Sequence, residues 1–83
     1  MVRLIMSLIT GPQLRAARAL VRMEQERLAE LASVAPNTVR RIEAMDGPIS
    51  ANVATIRRIE RALEATGVEF IPGGARLRES ADV

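Results

Sequence analysis

The stretch 35-APNTVRRIEAM-45 decides the fold, because its apolar residues and its arginines separate onto opposite sides only if it is helical. Pro36 suits the first helical position, where its missing N–H costs nothing. At about 100° per residue, burying Val39 and Ile42 leaves Asn37, Arg40, Arg41 and Ala44 on the other side. That outward row carries donors suited to base edges and phosphates. It equally suits a helix whose arginines are simply solvated, so the flanking segments have to decide.

Upstream, Glu24 to Ala32 reads as a short helix with acid in its first turn and Leu28, Ala29, Leu31 and Ala32 facing inward. Ser33-Val34-Ala35 interrupts it before the helix expected over Pro36 to Ala44 or Met45. Two short helices joined by a three-residue turn make a helix-turn-helix arrangement. Ala29 allows the two helices to approach closely, and Val34 turns an apolar side chain inward from the turn.

The segment 10-TGPQ-13 predicts an earlier helix start, with Thr10 as cap, Pro12 in the first turn and Gln13 at the capping-box position. This helix runs to about Arg22, with Leu14, Ala17, Leu20 and Val21 inward and Arg15, Arg18 and Arg22 more polar. Asp46 to Ile49 reads as a turn and Ser50 as a cap. Val53, Ile56, Ile59 and Leu63 then recur at helical spacing until Gly67, with a break near the start as the alternative that makes five helices. Beyond Gly67 the pattern alternates: Val68 and Phe70 share one face, Ala75 and Leu77 another, and Pro72-Gly73-Gly74 separates them as a hairpin turn. Val2 to Ile9 is apolar enough for a strand or extended arm, with Met6 as an alternative start, and 79–83 is a polar tail.

An 83-residue chain has room for one small core. Cysteine and histidine are both absent, which removes the disulfide framework, the thiolate metal site and the commonest general base. With the carboxylates Glu24, Glu26 and Glu30 forming a surface row and not a site, an enzyme is not expected, nor any cofactor or metal. Aromatic residues are 1% of the chain, Phe70 alone, so Ala, Leu, Ile, Val and Met must build the core, which is a helical palette. Met6, Met23 and Met45 read as packing residues. All twelve basic residues are arginine, yet the net charge is only +2, so general electrostatics alone would not hold DNA. The opening Val2 to Ile9 is too short to span a bilayer and lacks a small-residue cleavage pattern. A cytoplasmic protein without a membrane role is the default expectation.

The chain resembles the lambda-repressor-like (Cro/CI, XRE-type) helix-turn-helix transcriptional regulators. The resemblance runs through 14-LRAAR-18, 25-QERLAELA-32, Val34, 38-TVRRIE-43 and 63-LEATGVEFI-71, the last resembling the ending of a short bacterial subgroup with a hairpin after the helices. Roughly Thr10 to Arg78 is covered. It implies a mostly α fold: an N-terminal arm or strand over 1–9, a four- or five-helix domain over 10–67, a β-hairpin over 68–78 as a candidate dimer element, and the tail. It also implies a DNA-binding regulator, a repressor acting as a homodimer on a double-stranded operator. The competing reading is a protein-interaction module, such as an antiactivator or an antitoxin-like partner, and any second regulatory protein is unknown.

Residue by residue, the resemblance places Pro36, Asn37 and Arg41 against base edges, Pro36 limited by its lack of donors to touching a thymine methyl. It places Gln25 on a phosphate, with Thr38 and Arg40 as further phosphate candidates. Arg18 and Glu43 match a partly buried ion pair, which would also give a partner to a carboxylate that follows the core residue Ile42. The chain departs from the family pattern where Ser33 replaces a common glycine, and where Ala35 and Glu24 replace Ser or Thr caps. A lost cap costs about 1 kcal/mol.

Overall fold

The structure, a computed structural model, describes Leu8 and residues 10–79. The expected arm, apart from Leu8, and the tail beyond Glu79 lie outside the described residues. Four helices come first in chain order: α1 (Gly11–Val21), α2 (Gln25–Ala32), α3 (Pro36–Glu43) and α4 (Val53–Glu64). An antiparallel hairpin of β1 (Val68–Ile71) and β2 (Gly74–Leu77) follows. α2 sits between α3 and α4, and the hairpin packs mainly against α1.

α1 begins where local chemistry places it. The Thr10 hydroxyl accepts from the Gln13 N–H at 3.2 Å, and the Gln13 carboxamide accepts from the Thr10 N–H at 2.9 Å, so two orphan donors of the first turn satisfy each other's residues. Gln13 is buried, and its Nε2 also donates to the Ile71 carbonyl at 2.8 Å. The same side chain therefore starts α1 and ties it to the end of β1.

The core is one cluster centred on Leu14, Leu28, Val39, Ile42, Ile59 and Leu63, closed below by Val68 and Phe70. Leu8 joins it, and the Leu8 N–H donates to the buried Glu60 carboxylate at 2.9 Å. On the next turn of α4, burial pushes the Glu64 carboxyl above its ordinary value, with Glu60 adding to the effect.

Three residues expected inward are exposed: Leu20, Leu31 and Val53. At about 100° per residue, each lies about 60° round its helix from the inward apolar residue three positions away, Ala17, Leu28 and Ile56 respectively. The helical period locates the middle of the apolar stripe, and the packing partners set its width. Ser50 is not the cap of α4: Asn52 is, its Oδ1 accepting from the Ala54 N–H at 2.7 Å, while the Ser50 N–H meets the Met45 sulfur at 3.3 Å. Ala51 packs against the core and holds the chain extended until Asn52.

The hairpin turn is also one residue shorter than expected. Gly74 is the first residue of β2, leaving Pro72-Gly73 as a two-residue turn with Gly73 at φ 75°. Val68 pairs with Leu77 and Phe70 with Ala75. Residues directly opposite in an antiparallel ladder share a face, so all four side chains lie on one side. The other side carries the Glu69–Arg76 pair at 2.9 Å.

Candidate nucleic-acid interface

α3 is seated by Val39 and Ile42, both fully buried, and α2 can approach it closely because Ala29 has no more than a methyl group to accommodate. The turn between them closes without glycine: Ser33 takes φ 58°, and the Val34 N–H reaches back to the Ala29 carbonyl at 3.0 Å, the kind of bond that ends a helix at a left-handed residue. Ala35 precedes α3 with no side-chain bond to its first turn, and neither does Glu24 cap α2.

Seating α3 in this way fixes what faces outward. Pro36, Asn37, Arg40 and Arg41 are exposed and Thr38 is half-buried. Asn37, Thr38, Arg40 and Arg41 line a shallow open groove along the outer face. Arg41 makes no hydrogen bond or ion pair among the described residues, so its whole guanidinium fork is available. Asn37 is different: its Oδ1 accepts from Arg40 Nε at 3.3 Å and Nη2 at 2.9 Å. A bidentate reading of adenine needs that oxygen as an acceptor. In this arrangement Asn37 offers only its NH2 outward, which suits a phosphate oxygen or a base acceptor. Arg40 is engaged on its other side as well, with Nη1 3.6 Å from the Glu26 carboxylate.

Behind α3 the polar groups converge on Glu43, which is only 5% exposed. Arg18 grips its carboxylate with Nε and with Nη2, the latter at 2.8 Å, and Arg18 Nη1 donates to the Met23 carbonyl at 2.7 Å. The hydrogen bond to Glu43 raises the Arg18 pKa above its already high value, against the opposing effect of burial. Gln25 Nε2 donates to Glu43 Oε1 at 2.9 Å. The half-buried Gln25 thus turns one amide N–H inward to Glu43, leaving the other N–H and the carboxamide oxygen uncommitted to that carboxylate.

Two features of the site carried no signal in the sequence. Arg15 Nη1 donates to the backbone carbonyl of Glu43, adding a second tie from α1. And the rim beside α3 is acidic: Glu24, Glu26 and Glu30 line a groove with Arg27, Ala29, Val34 and Pro36, of which Arg27 and Glu30 pair at 2.7 Å. By sequence the carboxylates form a helical surface row; the fold sets this row against the start of α3.

No helix among the described residues is long and apolar enough to cross a membrane. Among the described residues no group of His, Cys, Asp and Glu side chains could hold a metal. The model of a helix-turn-helix family matches residues 14–70, from the first buried leucine of α1 to the last buried residue of β1. Among curated proteins, none matches the chain.

Proposed function

Because the chain belongs to that family, the lambda-repressor-like (Cro/CI, XRE-type) helix-turn-helix regulators that bind DNA, we propose that it is a sequence-specific repressor that reads the major groove with α3 as a homodimer. The observation that carries this reading is the outer face of α3, where the unpaired fork of Arg41 stands beside Asn37 and Arg40 with no large apolar side chain among them. A free, planar donor pair is what bidentate recognition of guanine O6 and N7 requires. Asn37 and Pro36 contribute base contacts beside it, and Arg40, Thr38 and Gln25 contribute phosphate contacts.

Dimerisation follows from magnitude. One module with a net charge of +2 gains little from general electrostatics. Two copies reading half-sites about 34 Å apart gain by effective concentration. The acidic rim gives the competing reading, a protein-interaction module, its one point of support.

Site selection from a random duplex pool, run at one salt concentration with the purified protein and with Arg41→Ala, separates the two. Arg41→Ala is expected to relax preference at one base position, by about 1–3 kcal/mol of discrimination. Equal, sequence-blind binding by both proteins, or none by either, would transfer the function to the interaction module. A protein that stays monomeric in sedimentation at micromolar concentration would remove the dimer from the reading.

A further inference from the structure

The C-terminal end of α3 is closed partly by its own backbone, the Ala44 and Met45 N–H groups donating to the Arg40 and Ile42 carbonyls at 3.1 Å, and partly by α1. A helix leaves its last carbonyls without intrahelical partners and carries partial negative charge there. Ala44, which follows, has no side-chain donor to offer them. The start of α1 lies directly against these carbonyls, so that partial positive charge meets partial negative. The Gly11 N–H donates to the Gly47 carbonyl at 3.3 Å, and the Arg15 guanidinium donates to the Glu43 carbonyl.

This approach is possible only because residue 11 has no side chain. A Cβ on Gly11 would collide with the Met45 carbonyl oxygen and sit 2.8 Å from that of Ile42. Both obstacles are backbone atoms, which cannot rotate away. Gly11 has no left-handed backbone that would otherwise require glycine; the requirement is the close approach itself.

We propose that Gly11 and Arg15 are positioning residues for DNA readout: they set the pose in which α3 presents Arg41, through the carbonyls at its C-terminal end. The inference rests on the reading of α3 as a recognition helix. α3 spans eight residues, so a displacement of about 1 Å at its end tilts an element about 12 Å long by roughly 5°. Arg41 lies in that last turn and moves with it. Base-edge hydrogen bonds lose their geometry over a few tenths of an ångström, and recognition constellations need to be held within about 0.5 Å.

The test compares the wild-type full chain, Gly11→Ala and Arg15→Gln on two duplexes of equal length: the sequence the wild type selects from a random pool, and its scramble. For Gly11→Ala, with helical circular dichroism retained, the ratio of selected to scrambled affinity is expected to fall about tenfold, the scale of one bidentate base contact. Binding to the scramble should stay within about twofold, since phosphate contacts are less directional. Arg15→Gln, at an exposed position that folds without a clash, should lower the ratio in the same direction by a smaller factor, and Arg15→Lys should restore part of it. If Gly11→Ala fails to fold, the Arg15 variants decide. An Arg15→Gln protein with an unchanged ratio and a salt slope reduced by about 0.9 would make Arg15 a phosphate contact and overturn its positioning role. Ratios within about twofold of wild type for both positions would overturn the proposal for both. A wild type that prefers neither duplex would instead sink the DNA reading of α3, and this inference with it.

Discussion

α3 is held from two sides by unequal means. Toward α1, the Glu43 carboxylate is nearly inaccessible and takes a two-pronged grip from Arg18, while α1 also clasps the end of the helix through Gly11 and Arg15. Toward α2, beside one hydrogen bond from Gln25 to the same carboxylate, the only ion pair among the described residues is Arg40 with Glu26, at 3.6 Å and with the two side chains 49% and 67% exposed. Exposed pairs of that kind are worth about 0–1 kcal/mol, whereas removing one partner of a buried pair costs about 3–5 kcal/mol. The helix is therefore mounted rigidly on the α1 side and left adjustable at the edge that would meet a ligand. Rigidity belongs where pose is set, and exchangeable pairing where a partner has to be admitted.

The strongest way to break this comparison is at Glu43. Glu43→Ala leaves Arg18 partly buried with only the Met23 carbonyl and takes the acceptor from Gln25. A loss of about 3 kcal/mol in urea unfolding is expected. A loss below about 1 kcal/mol would put the Arg18–Glu43 pair in the same class as Arg40–Glu26 and erase the contrast. The double change Arg18→Met with Glu43→Leu sharpens it: replacing a buried pair by apolar residues is often close to neutral for stability. A double variant that folds as well as the wild type but discriminates less between DNA duplexes would assign the pair to pose and not to stability.

A second, smaller test concerns the start of α3. α1 begins with reciprocal Thr10–Gln13 bonds, while α3 begins at Ala35 with no side-chain cap, its Thr38 N–H reaching the Ala35 carbonyl at 2.9 Å instead. Ala35→Ser supplies an oxygen to the Asn37 N–H and is expected to stabilise the fold by about 1 kcal/mol. For a domain of this size that raises Tm by roughly 4–8 °C. An unchanged Tm would mean that Pro36, by fixing the first-turn backbone, already recovers what the cap would add.

These sites divide according to how far apart in the chain their determinants lie. The capping box at Thr10, the fixed backbone at Pro36 and the inward placement of Val39 and Ile42 follow from neighbours within one turn, and all of that was legible. Once Val39 and Ile42 were placed inward, the outward position of Arg41 was legible too. Ser50 and Asn52 are equally good caps by local chemistry, and only the packing of Ala51 chooses between them. Leu20, Leu31 and Val53 sit at stripe edges, where the neighbouring element and not the period decides burial. The clasp of Gly11 on Met45, the inward turn of Gln25 and the reach of Glu26 to Arg40 depend on distances between elements. No spacing within one helix encodes those distances, so the sequence shows Gly11 only as part of a helix start and Arg40 only as a phosphate candidate.

Glu26 offers the finest test, because it is the point where the adjustable side opposes the function proposed for it. Its carboxylate occupies Arg40 and places negative charge beside the face that would approach phosphates. Glu26→Gln keeps the size of the side chain and removes both effects. Folding stability should stay within about 0.5 kcal/mol, since an exposed pair contributes little. Affinity for selected and scrambled duplexes should rise together by about two- to fivefold, and the salt slope should steepen as Arg40 becomes free to displace a counterion. A common rise with an unchanged ratio would make Arg40 a phosphate contact held in reserve. A rise for the selected duplex alone would place Arg40 among the base readers with Arg41. A fall for both would mean that Glu26 aims Arg40 and does not restrain it, and the α2 side of α3 would then be as much a part of the mount as the α1 side.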